Sequence, residues 1–181
     1  MDDHDLAEIC RTCAHDQSGV TVYHLDESLV VCLRGSLTFR DWTQDFLVLE
    51  TSHPLLGRVH EGFLAEAASM APQIAQVCAG RQFSLTGHSR GGAIALLLGG
   101  LLKGSGQVAD AIVTFGAPRA GGAALAEALK PIPVRQYRCG GDPIPFWPEP
   151  PFADAAPLIN VGIPALNPIS DHAIGRYASV I

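Results

Sequence analysis

The sequence FSLTGHSRGGAIALLL, which occupies residues 83–98, decides the fold. A short apolar run leads into the pentapeptide Gly87-His88-Ser89-Arg90-Gly91, and a run of helix-forming residues follows it. This order predicts a strand, a sharp turn and a helix, with Ser89 pushed clear of a backbone that the two glycines keep uncrowded. The first N–H groups of the helix have no helical partners and are placed to hold an oxyanion near Ser89. The alternative is a serine that only caps an ordinary helix.

Length and composition indicate one domain that extends over residues 1–181. A chain of this length with 48% hydrophobic residues can bury a sizeable core. The net charge of −6 and the scattered Lys and Arg residues argue against nucleic acid as a partner. The longest run of apolar residues and glycine, 91–102, is far shorter than the roughly 20 residues that cross a bilayer, so we expect no transmembrane segment.

The amino terminus bears on the location of the protein. Residues 1–5 are acidic where a secretory signal would be basic, and no apolar segment follows them. We therefore expect a cytoplasmic protein with no recognisable signal peptide, with export by a non-classical route left open.

The five cysteines are spread over expected strands and helices, and their number is odd. This distribution favours reduced thiols in the core over a disulfide framework. Cys10-x-x-Cys13, with His4 and His15 nearby, suggests a zinc site, but no second Cys-x-x-Cys pair accompanies it. We expect no metal.

Strands and helices alternate along the chain. Apolar runs predict strands at residues 27–35 and 111–116, and we also expect strands at residues 20–24, 83–86 and 134–139. Helical spacing predicts helices at residues 5–14, 58–79 and 91–102, a fourth that ends at 129, and a short last one at 171–179. We expect Pro72 to kink or divide the second helix, and the proline-rich residues 143–168 to form an ordered irregular loop. The alternation predicts an α/β fold with a mainly parallel central sheet and helices on both faces.

Four turns follow predicted strands and should meet at one edge of this sheet, where such proteins carry their functional groups. They are Gly35-Ser36, Gly87-His88-Ser89, Gly116-Ala117-Pro118 and Gly141-Asp142. A nucleophilic serine at this edge needs a base, and the base needs a carboxylate to orient it. In this class of fold the serine precedes the acid, and the acid precedes the histidine.

His172 is the only one of the seven histidines that follows Ser89, so it is the candidate base. Of the acidic residues between them, Asp142 directly follows a predicted strand and is the favoured partner of the base. Glu149 and Asp154, on the proline-rich loop, are weaker choices. Taken singly, Asp142 could instead be a turn residue, and His172 a histidine at a helix start.

Attack on a carbonyl carbon places negative charge on the carbonyl oxygen, which two preorganised donors would stabilise. The backbone N–H of Arg90, the residue after the candidate nucleophile, is one expected donor. Ser36, in the turn after the strand at 27–35, offers a backbone N–H and a hydroxyl as the other. This chemistry requires neither a metal nor an organic cofactor, so we expect none.

A short helix is predicted at residues 37–46, and one of its faces is partly apolar. The residues on that face are Leu37, Phe39, Trp42 and Phe46. Such a helix would be a mobile lid over an apolar site, or a surface helix docked on the core. The loop at 143–168 adds Phe146 and Trp147 as candidate substrate-binding residues.

With these residues assembled, the chain resembles the class 3 lipase family, the fungal-type triacylglycerol lipases and their bacterial relatives, which have the α/β-hydrolase fold. The resemblance extends over about residues 28–177, in family order. Its segments are Arg34-Gly35-Ser36 with Asp41-Trp42 and Asp45, Val59 to Phe63, Thr86 to Ala93, Thr114 to Gly121, Gly141 to Pro145, and Asp171-His172 with Tyr177.

The resemblance implies a role for each candidate site residue. Carried over position by position, Ser89 is the nucleophile, Asp142 the acid and His172 the base. Ser36 and Arg90 form the oxyanion hole, and the lid lies at the predicted short helix. One position departs from the family, which usually has leucine where Arg90 stands.

We therefore expect a serine carboxylic ester hydrolase that forms an acyl-enzyme, in the first place a lipase acting on glycerolipid esters. A small-ester carboxylesterase or a phospholipase is the nearest alternative, followed by other acyl chemistry on the same triad. A catalytically silent binding module is the alternative from another class. The expected partners are an ester or lipid substrate and a lipid interface that the lid contacts transiently, while the sequence leaves the oligomeric state undetermined.

Overall fold

Strands and helices alternate through most of the chain. The computed structural model describes residues 1–16, 19–25, 27–35 and 49–181. Its strands are β1 (Val20–His24), β2 (Ser28–Leu33), β3 (Glu50–His53), β4 (Gly57–His60), β5 (Gln82–His88), β6 (Ala111–Phe115), β7 (Val134–Cys139) and β8 (Leu158–Val161). Its α-helices are α1 (Asp3–Cys13), α2 (Glu61–Cys78), α3 (Arg90–Gly104), α4 (Ala123–Leu129), α5 (Pro168–Asp171) and α6 (Ile174–Ala178), and a short 3-10 helix spans Ile144–Phe146.

The central sheet has six strands in the order β1-β2-β5-β6-β7-β8, and β3 pairs with β4 in a separate antiparallel hairpin. Strand β1 runs antiparallel to β2, while the other neighbours in the central sheet are parallel. The prediction of a mainly parallel α/β sheet is thus confirmed. The parallel pairing places the carboxyl ends of β2, β5, β6 and β7 at one edge.

Hydrophobic cores lie on both faces of the sheet. Val31 and Leu33 of β2 belong to the core that contains α2 and α3, while Val30 and Cys32 belong to the core that contains α1 and α6. Alternate residues of β2 therefore point to opposite cores, which explains the uninterrupted apolar run of this strand. In the described ranges, no helix is long and apolar enough to cross a membrane.

Helix α1 is fixed to the sheet by polar contacts as well. Asp3 accepts hydrogen bonds from Arg135 Nε and Nη2 at 2.6 and 2.7 Å and from the Tyr137 hydroxyl at 2.7 Å. Both donors lie on β7, so the first turn of the helix is tied to a strand far along the chain.

The five cysteines are buried and free. Cys10 Sγ lies 3.4 Å from a threonine hydroxyl of β5, and Cys13 Sγ donates to the carbonyl oxygen of Cys32. Both thiols therefore point into the core, whereas His4 and His15 are exposed.

The structure differs from the predicted elements at several places, among them the unpredicted strand β3. Helix α2 begins at Glu61, because residues 57–60 form β4, and it runs unbroken through Pro72. A proline removes only its own N–H bond, and residues buried on both sides of Pro72 hold the two halves of the helix in the core. The loop at 143–168 contains β8, and the last predicted helix is divided into α5 and α6 around His172.

Candidate active site

Ser89 occupies a sharp turn between β5 and α3, and residues 87–91 of this turn are called the elbow below. Among the described residues, Ser89 is the only non-glycine with a positive φ, at 55° with ψ at −129°. Backbone strain of this kind costs about 1–3 kcal/mol and persists where the surroundings hold it. Here the Ser89 N–H donates to the carbonyl oxygen of Phe115 at 2.9 Å, so β6 holds the turn in place.

The elbow is crowded enough to require glycine on both sides of the serine. A Cβ on Gly87 would lie 2.4 Å from the carbonyl carbon of Gly91, and a Cβ on Gly91 would lie 2.0 Å from the carbonyl oxygen of Leu33. Bare backbone at these two positions lets the end of β2 and the first turn of α3 pack against the elbow.

Three candidate site residues from separate segments are in direct contact. His172 Nε2 lies 2.9 Å from Ser89 Oγ, and His172 Nδ1 lies 2.8 Å from Asp142 Oδ2. A carboxylate only accepts hydrogen bonds, so Nδ1 carries the proton and Nε2 is free to accept from the serine hydroxyl. Asp142 is fully buried, Ser89 is 5% exposed and His172 is half-buried.

The buried Asp142 carboxylate has a partner on each oxygen. Its Oδ2 also accepts from the Tyr177 hydroxyl at 2.5 Å, and its Oδ1 accepts from the Ile144 N–H at 2.9 Å. Burial, followed by the nearby Asp142 charge, raises the pKa of Tyr177 far above its ordinary value, so its hydroxyl stays protonated. These bonds satisfy a charge that would otherwise be costly to bury.

Asp171, the neighbour of His172 in sequence, has its carboxylate bound by groups other than the histidine ring. Its Oδ2 accepts from the N–H groups of Gly141 and Ala165 at 2.8 and 2.9 Å, and its Oδ1 from Arg176. These hydrogen bonds, with the two from the backbone as the main cause, lower the pKa of Asp171. The segment that carries His172 is thereby fastened to the turn that carries Asp142.

Glu149 and Asp154, the weaker candidates for the acid, have other surroundings than the His172 ring. Asp154 pairs with Arg119 at 3.2 Å, and Glu149 is exposed on the proline-rich loop. In the described part of the chain, Asp142 is the acid in contact with the His172 ring.

Of the two expected oxyanion donors, the structure describes Arg90 but not Ser36. Arg90 is the first residue of α3, and its guanidinium pairs with Glu66 of α2 at 2.5 Å. A first-turn N–H is not needed for helical hydrogen bonding, so the Arg90 N–H is available beside Ser89. A Cβ on Gly35 would lie 3.4 Å from the Ser89 Cβ, so the end of β2 reaches the serine. Ser36 follows it but lies outside the described residues.

The candidate lid and substrate-binding residues stay predictions. Four of them, Leu37, Phe39, Trp42 and Phe46, also lie outside the described residues. Phe146 is 49% exposed, and its ring centroid lies 4.6 Å from the guanidinium carbon of Arg138. The Trp147 carbonyl accepts from the Arg119 N–H at 2.8 Å.

Two further residues of the site carried no role in the sequence-based prediction. Tyr177 contacts Asp142, as described above, and His88 Nε2 lies 2.6 Å from the carbonyl oxygen of His172. His88 stands inside the pentapeptide and Tyr177 inside the motif set, so both were visible in the sequence. Their partners are 84 and 35 residues away, which the local pattern does not reveal.

The match to a known family decides the assignment of the chain. Residues 30–152 match the family model described as lipase (class 3). This protein belongs to the class 3 lipase family. The resemblance inferred from the motifs is therefore confirmed.

Individual members of the family resemble this class 3 lipase over most of its length. A secreted mono- and diacylglycerol lipase of Fusarium solani is 30% identical over 159 residues, which are 80% of this chain and 47% of the relative. A deletion mutant of the Rhizomucor miehei lipase in complex with its propeptide superposes with a TM-score of 0.66 at 26% identity, over 79% of this chain and 51% of the other. The lipase of Rhizopus microsporus var. chinensis superposes with a TM-score of 0.63 at 28% identity, over 72% of this chain and 51% of the other. These structures confirm the α/β-hydrolase fold, while the chain spans about half the length of its relatives.

The prediction of a cytoplasmic protein is wrong. Three curated relatives that this chain matches are secreted lipases, which contradicts the expectation of a cytoplasmic protein. Two of the acidic residues on which that prediction was based, Asp2 and Asp5, cap the first helix. Asp2 Oδ1 accepts from the Asp5 N–H at 2.9 Å and Asp5 Oδ2 accepts from the Asp2 N–H at 3.2 Å, which caps α1.

Proposed function

We propose that this class 3 lipase is a serine carboxylic ester hydrolase that acts on glycerolipid esters, with residues 1–181 working as one domain. The observation that carries the proposal is the hydrogen-bonded series Ser89, His172 and Asp142, with distances of 2.9 and 2.8 Å, at a strained strand-to-helix turn. The three residues take the roles of nucleophile, base and acid. A serine that only capped a helix would need neither a buried carboxylate nor the strained backbone.

The geometry supports attack by Ser89 Oγ on an ester carbonyl carbon. As the C–O bond forms, His172 Nε2 accepts the hydroxyl proton, and the imidazolium is stabilised by Asp142 through the Nδ1–H bond. The proton then passes from Nε2 to the leaving alcohol oxygen, and an acyl-enzyme remains. A water molecule that gives its proton to His172 releases the acid and restores Ser89.

The negative charge on the ester oxygen needs donors during both steps. The N–H of Arg90 supplies one, and Ser36 is proposed to supply the other from the turn after β2. Losing one such donor typically lowers kcat by roughly 10²- to 10³-fold. No metal or organic cofactor takes part in this scheme.

The substrate class is proposed from the family and its named members. The Fusarium solani relative is a mono- and diacylglycerol lipase, which supports glycerolipid esters as substrates. A small-ester carboxylesterase or a phospholipase would use the same three residues. The apolar residues Leu37, Phe39, Trp42 and Phe46 are proposed to contact a lipid interface transiently as a lid, with Phe146 and Trp147 beside the substrate.

Hydrolysis of p-nitrophenyl esters from acetate to palmitate, with and without a detergent interface, tests the proposal. Ser89→Ala should lower kcat by roughly 10⁴- to 10⁶-fold with the fold intact. Ser52→Ala, at an exposed serine of β3, is the matched control and should leave kcat unchanged. A maximum of kcat/KM for long acyl chains would support a lipase, and a maximum for short acyl chains would support an esterase. Absence of wild-type turnover on every ester would overturn the proposal in favour of a binding module.

A further inference from the structure

His88 belongs to the elbow and contacts the segment that carries the proposed base. Its Nε2 is 2.6 Å from the main-chain carbonyl oxygen of His172, and the centroids of the two rings are 4.8 Å apart. A carbonyl oxygen only accepts hydrogen bonds, so Nε2 of His88 carries the proton and donates it. The residue before the nucleophile therefore holds the main chain of the base.

This bond is a second anchor for the segment, beside the Asp171 hydrogen bonds that fasten it to the turn of Asp142. His172 follows the four-residue helix α5, and only Ala173 separates it from α6. Carbonyl groups at a helix end lack helical partners, and the His88 N–H satisfies the one that belongs to His172. The ring of His172 has its own bonds to Ser89 and Asp142, but these do not fix the main chain.

The environment keeps His88 a neutral donor. Burial, followed by the proximity of His172, lowers the pKa of His88 to about 3. The titratable side chains around it are those of His172, Asp142 and Tyr177, of which Asp142 acts in the opposite direction. A neutral imidazole places no competing positive charge beside a base that must itself become cationic.

We propose that His88 is a positioning residue, whose N–H bond to the His172 carbonyl keeps His172 Nε2 at bonding distance from Ser89 Oγ. This inference rests on the proposed function. Because His88 and Ser89 are adjacent, one hydrogen bond from the His88 side chain links the residue before the nucleophile to the main chain at the base. A shift of about 1 Å in such a geometry costs on the order of 10²-fold in rate.

Two substitutions of similar size separate the hydrogen bond from simple packing. Gln places a side-chain N–H at nearly the reach of His Nε2, whereas Met fills the space without a donor. With p-nitrophenyl butyrate, His88→Met should lower kcat about 10- to 100-fold at nearly constant KM, and His88→Gln should recover most of the loss. The rate at which a fluorophosphonate probe labels Ser89 should fall and recover in parallel. Equal kcat losses in both variants, or none in His88→Met, would overturn the proposal.

A measurement on the wild-type protein covers the case in which the Met variant fails to fold. One-bond ¹⁵N–¹H couplings should show a proton on Nε2 of His88 and none on Nδ1 across the pH range of activity. A proton on Nδ1 instead would overturn the proposal. Wild-type hydrolysis that is lost in Ser89→Ala tests the proposed function separately, so failure of either idea can be told from failure of the other.

Discussion

The hydroxyl of Tyr177 donates to the same Asp142 oxygen that accepts from His172 Nδ1, at 2.5 and 2.8 Å respectively. One carboxylate oxygen thus links helix α6 to the proposed base. Because the pKa of Tyr177 is raised by burial and by Asp142, this donor remains in place at alkaline pH. The position of the carboxylate therefore depends on Tyr177 as well as on His172.

Replacing Tyr177 with Phe should lower kcat for ester hydrolysis about tenfold with little change in KM, because Asp142 loses a group that orients it toward His172. The free energy of unfolding should fall by about 1–3 kcal/mol, since a buried acceptor loses its donor. Tyr137→Phe is the matched control, because it removes a tyrosine bond to Asp3, on α1. It should affect stability and leave kcat unchanged. Similar kcat in both variants would contradict the prediction.

Gly91→Ala should destabilise the protein by about 3 kcal/mol or more and abolish hydrolysis. Its Cβ would stand 2.0 Å from the Leu33 carbonyl oxygen, so β2 and the elbow would have to separate. Gly175→Ala is the control, since no described atom outside its chain neighbours and its own helix backbone lies within 4 Å of the added Cβ. Its helix should be unchanged or stabilised by up to about 1 kcal/mol. Urea unfolding measures both. Wild-type stability of Gly91→Ala would show that the elbow is not as closely packed as described.

The central sheet could be predicted largely because strands β2 and β6 consist mainly of apolar residues. Strand β8 was missed, since its four residues, Leu158–Val161, are only partly buried and lie within a proline-rich segment. The β3–β4 hairpin was missed as well, because each of its strands has only four residues and most of these are polar. Short edge elements depend on their partners more than on a pattern of their own.

The contact between Ser89, Asp142 and His172 could be anticipated, because each residue is identified by its own feature of the sequence. The serine has the pentapeptide, the aspartate follows a strand, and a single histidine comes after the serine. The contacts of His88 and Asp171 could not be anticipated in this way. Their hydrogen bonds join side chains to main-chain atoms of other segments, and neither the His172 carbonyl nor the Gly141 N–H is marked as a partner by any local sequence pattern.

The hydrogen bonds from Arg135 and Tyr137 to the Asp3 carboxylate should make the free energy of unfolding depend on pH. Burial raises the pKa of the Asp3 carboxyl, but the Arg135 and Tyr137 hydrogen bonds and the Arg135 charge outweigh it and leave the pKa below its ordinary value. A lowered pKa in the folded state adds stability above the unfolded pKa of about 4, and this stability is lost as the pH falls through the folded value.

Asp3→Asn should therefore lower the free energy of unfolding by about 1 kcal/mol at neutral pH, and the difference from wild type should shrink below about pH 4. Chemical unfolding at a series of pH values measures it. Asp110→Asn, at an exposed aspartate before β6, should show no such dependence. A difference that stays constant down to the lowest pH would contradict the assignment to the Asp3 charge.

The two ion pairs Arg90–Glu66 and Lys130–Glu127 should differ in strength, because their burial differs. The side chains of the first are 21% and 35% exposed, and those of the second are 70% and 69% exposed. Glu66→Gln would leave a half-buried guanidinium at the first turn of α3 without its counter-charge, so we expect a loss of about 1–2 kcal/mol in unfolding free energy. Glu127→Gln, in a pair that solvent screens, should cost less than about 0.5 kcal/mol.

A double-mutant cycle with Arg90→Leu isolates the first pair, because leucine removes the charge and keeps part of the apolar stem. Once the guanidinium is gone, Glu66→Gln should cost almost nothing, and the difference between the two costs is the coupling free energy. Raising the salt concentration should weaken the Lys130–Glu127 pair more than the Arg90–Glu66 pair. If Glu66→Gln is as harmless as Glu127→Gln, then the start of α3 is held beside Ser89 by packing alone, and the arginine at this position has no structural consequence.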